Sequence, residues 1–168
     1  MNDFLTNFSL GMENKAEKVK NEILKTNELS QDFGLMLSEK DAKMLEKVGR
    51  DIISETDRIE FGSSITVKII EKFINSTYIS QNDYADTIVS LIEVFYVAKD
   101  ECLDTFNDDE VIDIMFDFFE DQSGGSIEIL QSRDLDYLCK NIRYKASRIA
   151  DPEYYRLMDD YEEGIDNE

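Results

Sequence analysis

Asp109, Asp113, Asp117 and Asp121 recur at four-residue intervals, which on an α-helix sets four carboxylates along one side with a repeat of about 6 Å. Three kinds of chemistry use such a row. Paired carboxylates can exchange a proton as general acid and base, or hold magnesium through their oxygens. A regular line of negative charge, at a spacing on the order of that between neighbouring phosphates, can imitate nucleic acid toward a protein that binds it. The same line can dock a basic protein surface. The last reading leads, because the residues that would sharpen the first are missing.

The chain has no histidine and only two cysteines. That removes Ser-His-Asp and Cys-His nucleophile arrangements, His-ligated metal motifs and ordinary structural zinc sites. Neither GxxxxGK(S/T) nor GxGxxG occurs, so the common glycine-loop cradles for phosphate are missing too. EDQSGGSIEILQ echoes a calcium loop, but it would place Glu120, Gln122 and Gly124 at positions 1, 3 and 5, and Gln131 where a bidentate Glu belongs. Its Gly124-Gly125 reads instead as a helix stop. With 38 Asp and Glu in 168 residues, carboxylates meet by chance, so a magnesium-dependent carboxylate enzyme ranks behind protein binding and nucleic-acid mimicry. No cofactor and no metal are expected. A second candidate surface is RIEFG, where Arg58 and Glu60 lie beside Phe61 and Gly62. Either an Arg–carboxylate contact fixes this turn while Phe61 anchors it, or the loop itself carries recognition.

The elements that position these residues read as helices. A single proline, Pro152, and seven glycines leave long stretches free of breakers. Ser38 with Asp41 forms a capping pattern ahead of Ala42, Leu45, Val48 and Ile52, predicting a helix over about 39–56. Ile65, Ile69, Ile70, Phe73 and Ile74 predict the next, although the β-branched run ITVKII leaves open a small hairpin around 58–70 in an α+β fold. Ser80 with Asp83 repeats the capping pattern before Tyr84, Ile88, Leu91, Ile92 and Phe95, the expected central helix. Asn107 caps the acidic helix, whose Val111, Ile112, Met115, Phe116, Phe118 and Phe119 form a core face opposite the aspartates. Ile127, Leu130, Leu135, Leu138 and Ile142 follow, with a turn expected around Ser132. Asp151 and Pro152 offer the start of a short last helix.

The expected object is all-α: one compact domain of five or six helices over 33–149. Before it, 1–32 is a loosely attached arm, part helical and poor in large apolar residues, and after it 150–168 is an acidic tail. No signal-peptide pattern or apolar run of membrane length is present, and two widely spaced cysteines suit a reducing compartment, so the chain reads as cytoplasmic. Its charge of −20 is uneven. Residues 100–132 hold eleven acids and no base, 133–150 five bases and two acids, and 151–168 eight acids with Arg156 alone. Such a field repels nucleic acid and anionic membrane and favours a partner protein with a basic surface.

FGLMLSEKDA, RIEFG, STYISQNDYADT, FYVAK, DDEVIDIMFDFF and GGSIEIL, in this order and spacing, resemble a family of small bacterial proteins of unknown function over about 33–130. The resemblance implies a bacterial cytosolic protein and assigns no catalytic residue.

The basic segment bearing Arg133, Lys140, Arg143, Lys145 and Arg148 is expected beside one of the acidic blocks that flank it. The charge left over repels itself, so stability should rise as salt screens it over a Debye length of about 10 Å at 0.1 M. A melting temperature that falls or stays flat from low to moderate sodium chloride would contradict this.

Overall fold

The apolar stripe Tyr84, Ile88, Leu91, Ile92 and Phe95 is buried along its whole length, each residue at 0 or 1 % exposure, and the fold is arranged around it. The computed structural model describes residues 2–56, 58, 64–102, 105–154 and 156, with side chains from residue 10 onward. In order these form α1 (Asn2–Lys25), the single turn α2 (Asn27–Ser30), α3 (Glu39–Glu55), α4 (Ile65–Phe73), α5 (Tyr84–Glu101), α6 (Asp108–Asp117), the short α7 (Ile127–Ile129) and α8 (Leu135–Ala150). Wider π-type turns extend α6 over Phe118–Gln122 and join α7 to α8 over Leu130–Asp134. No strand occurs among the described residues, and the β-branched run at Ile65–Ile70 is helical. The all-α expectation holds. No described helix is long and apolar enough to cross a membrane.

Helix α5 is the post of the structure, packed by α3, α4, α6 and α8. Its neighbours cover more than one face, so Val94, Tyr96 and Ala98 are buried beside the expected stripe, and Asp86, Glu93, Val97 and Asp100 remain exposed. Each large apolar side chain removed from water there contributes about 1.5–3 kcal/mol. Between α4 and α6, Phe73 meets Phe116 and Phe119 edge-on, at centroid distances of 5.2 and 5.5 Å. Two helices start at the caps the sequence predicts: Ser38 with Asp41 opens α3 in the expected capping box, and Asn107 opens α6 in a box that Glu110 completes. The third differs. Asp83 occupies the cap position of α5 without a side-chain bond to the helix, and Ser80 Oγ instead bonds Asp83 Oδ2 at 3.2 Å across the preceding turn.

The first 32 residues depart from the expectation of a loosely attached arm. Helix α1 packs chiefly on α3, with Ile23 fully buried and Val19 and Leu24 against the core. Three apolar residues suffice because α3 supplies the facing surface. The following segment is tied down by side chains. Asn27 accepts from the Leu37 N–H at 2.8 Å and donates to the Leu37 carbonyl at 2.9 Å. Gln81 does the same for Met36, at 2.6 and 2.9 Å, and Ser30 Oγ donates to the Leu35 carbonyl at 2.7 Å. These amides satisfy a backbone stretch that has neither helix nor sheet to pair with.

The Gly124-Gly125 stop is confirmed, and its two glycines serve different ends. Both have positive φ, 55° and 77°, and Gly125 N–H closes the helix onto the Phe119 carbonyl at 2.7 Å. A Cβ on Gly124 would meet nothing within 4 Å, whereas one on Gly125 would sit 2.0 Å from Tyr78 Cγ. Tyr78 in turn lies edge-on to Phe119 at 6.4 Å. Gly124→Ala should therefore cost only the backbone strain, about 1–2 kcal/mol. Gly125→Ala should cost several kcal/mol, because the Tyr78 ring must move as well. Urea unfolding of the two variants checks the order; equal losses would mean that Tyr78 is free to swing away.

Candidate functional site

The acidic helix has the two faces that its sequence predicts. Val111, Ile112, Met115, Phe118 and Phe119 point into the core, with Phe116 half-buried beside them, while Asp109, Asp113, Asp117 and Asp121 are exposed. The four aspartates, however, are not equivalent. Helix α4 runs alongside α6, and its own i, i+4 pair meets the first two: Lys68 Nζ lies 2.9 Å from Asp109 Oδ1, and Lys72 Nζ lies 2.7 Å from Asp113 Oδ1. Lys72 also sits 5.0 Å above the Phe116 ring. One turn further on, α4 has ended at Phe73, so Asp117 and Asp121 have no ion-pair partner among the described residues.

These two carboxylates lie at the wrong end of their helix. Acids near an N-terminus meet the positive end of the dipole, as Asp108, Asp109 and Glu110 do here, but near a C-terminus they meet its negative end. No basic residue stands in the closing turns of α6 or its extension. Glu120, between them, has Oε1 buried without a hydrogen-bond partner among the described residues. The end of α6 is thus a knot of uncompensated negative charge. The sequence carried a signal for the division, since Lys68 and Lys72 share the four-residue spacing of Asp109 and Asp113, but nothing in it said that the two helices lie side by side.

Arg58, from the second candidate surface, makes the expected Arg–carboxylate contact, with Asp100 as its partner. Glu60 and Phe61 lie outside the described residues. The basic segment sits beside the first acidic block: Arg143 donates from Nε and Nη2 to Glu101 Oε2 at 2.8 and 2.6 Å. Further along, Asp134 is nearly buried, accepting from Ser123 Oγ and Arg133 Nε at 2.9 Å each. Chiefly the Arg133 guanidinium, helped by Ser123, holds this carboxyl below the usual range. The bond also ties the glycine turn to α8, which is the structural task of a segment that only echoes a calcium loop. Where a turn was expected around Ser132, the chain instead continues through a π-type turn. Among the described residues no three carboxylates or thiols converge as a metal site would require.

The arrangement defines an α-helical domain with lysine-neutralised and bare stretches on one acidic helix. The sequence matches a family of unknown function, DUF6323, over residues 22–148, and the chain belongs to it. The match begins in the last turn of α1, just before buried Ile23, and ends in the last turn of α8, so it takes in more than the stretch of resemblance around 33–130. No curated protein and no solved structure matches the chain.

Charge reversal of context gives a test. Asp117→Asn with Asp121→Asn should raise stability by about 0.3–1 kcal/mol, by relieving the helix end. Asp109→Asn with Asp113→Asn should lower it by up to about 1 kcal/mol, since both lose a lysine and Asp109 also loses the favourable dipole. Urea titrations in low salt measure both; the opposite order would show that the bare pair has a stabilising partner.

Proposed function

We propose that this is a noncatalytic protein-binding protein, and that it docks a basic protein surface on the C-terminal end of α6. The observation that carries the reading is the contrast along one helix: Asp109 and Asp113 are neutralised from within, whereas Asp117 and Asp121 are bare and placed where they oppose the dipole. Exposed carboxylates at such a place contribute nothing to folding, but they supply a focused negative potential that steers and orients a cationic partner. The pairing also counts against nucleic-acid mimicry, which needs an unbroken row of bare charges, and the lack of converging acids leaves the magnesium enzyme without support among the described residues. Arg58 belongs to this reading only as a brace, since it reaches Asp100 on α5 and none of the aspartates of α6. Two free, buried cysteines, Cys102 and Cys139, suit a reducing compartment, in keeping with a bacterial cytoplasm.

Affinity capture from the native host with three baits tests the assignment. Wild type and the Asp109→Asn/Asp113→Asn variant should retain the same basic protein, released by salt, and the Asp117→Asn/Asp121→Asn variant should lose it. Retention by all three would move the interface elsewhere. Competition for that partner by DNA or RNA would reinstate mimicry, and turnover that requires magnesium would replace binding by catalysis.

A further inference from the structure

Away from the acidic helix, α1, α3 and the start of α4 line a cleft of about 400 Å³. The volume lies within the range of small-molecule sites. Met12, Ala16 and Val19 come from one face of α1, at i, i+4 and i+7, and Ile53 from α3, giving apolar walls. At the floor α3 presents Gly49 to Thr66 of α4, so closely that a Cβ there would lie 3.1 Å from Thr66 Oγ1.

The charge of the lining runs against that of the molecule. The chain carries 38 acids and 18 bases, yet among the described residues the cleft is lined by Lys15, Arg50 and Arg58 against the single acid Glu46. Glu46 is itself engaged: nearly buried, it accepts from Arg50 Nε at 2.8 Å and Nη2 at 3.3 Å. Lys15 has no ion-pair partner among the described residues. Among the described residues Arg58 shares its charge only with Asp100, whose carboxylate is 62 % exposed and therefore a weak competitor. Two cations thus remain at the rim of an apolar cleft.

The geometry points to a binding site for a small amphipathic anion, with its apolar body between Met12, Ala16, Val19 and Ile53 and its anionic head at Lys15 and Arg58. This ligand is distinct from the basic protein proposed for α6, and neither assignment depends on the other. The α1 wall lies before residue 22, outside the family match.

Octanoate and 1-octanol serve as probes of one body with and without the charge, titrated calorimetrically into the full chain at pH 7.5. Octanoate should bind with one-to-one stoichiometry and at least tenfold more tightly than octanol. Lys15→Gln or Arg58→Gln should each weaken octanoate by about three- to tenfold and leave octanol unchanged, with helical content preserved. Ala16→Phe, which fills the cleft from the half-buried face of α1, should abolish both. Equal affinity for the two probes, charge variants without effect, or octanoate binding that survives Ala16→Phe would each overturn the assignment.

Discussion

Burial of α5 over most of its circumference is the constraint from which the rest follows. A helix that leaves only the stripe of Asp86, Glu93, Val97 and Asp100 to solvent needs several neighbours, and α3, α4, α6 and α8 are those neighbours. Each then needs only one apolar stripe, because its inner face rests on the same post. Helix α4 shows how far this goes. At nine residues it would not be stable alone, yet Ile65, Ile69, Ile70 and Phe73 are at 3 % exposure or less between α5 and α6. Its shortness matters beyond packing, since the place where α4 stops decides which aspartates of α6 find a lysine.

The parts of the fold that the sequence disclosed are those set within a few residues of one another. Ser38 with Asp41 and Asn107 with Glu110 are local hydrogen-bond exchanges, and the three-and-four spacing of Ala42, Leu45 or of Ile88, Leu91, Ile92 needs only the helical period. What stayed hidden was set by partners distant in the chain. Helix α1 looked too polar to be held, because Ile23 and Val19 gain their value from α3, not from their own neighbours. Asn27 and Gln81 bear no local sign that they will hydrogen-bond the backbone of Leu37 and Met36. The π-type turns at Phe118–Gln122 and Leu130–Asp134 are likewise adjustments to packing, and no pattern in the residues there distinguishes them from ordinary helix.

The candidate site divides along the same line. That α6 has an apolar and an acidic face was legible from periodicity alone. That the acidic face is half neutralised was not, because it depends on α4 and α6 lying in register, Lys68 by Asp109 and Lys72 by Asp113. The cleft was invisible for a stronger reason: it is a space between two helices, one of which was read as unattached. Lys15 is far from Arg50 and Arg58 in sequence, and the three are meaningless as a set until α1 is laid on α3.

The ion pairs account for where the surplus charge ends up. Lys68, Lys72, Lys99 and Arg143 all reach from one element to an acid on another, at 2.6–3.1 Å. Lys99 is the most enclosed of the four, bonding both Asp108 and the Phe106 carbonyl. Pairs at this level of exposure contribute about 0–1 kcal/mol each, so their effect is less to hold the fold than to choose which carboxylates remain bare. With these four cations committed to helix junctions, negative charge is left at the end of α6, where the backbone dipole already makes it unfavourable. A carboxylate that neither packs, pairs nor caps has no folding reason to be there, and what it can still offer is its field toward another molecule.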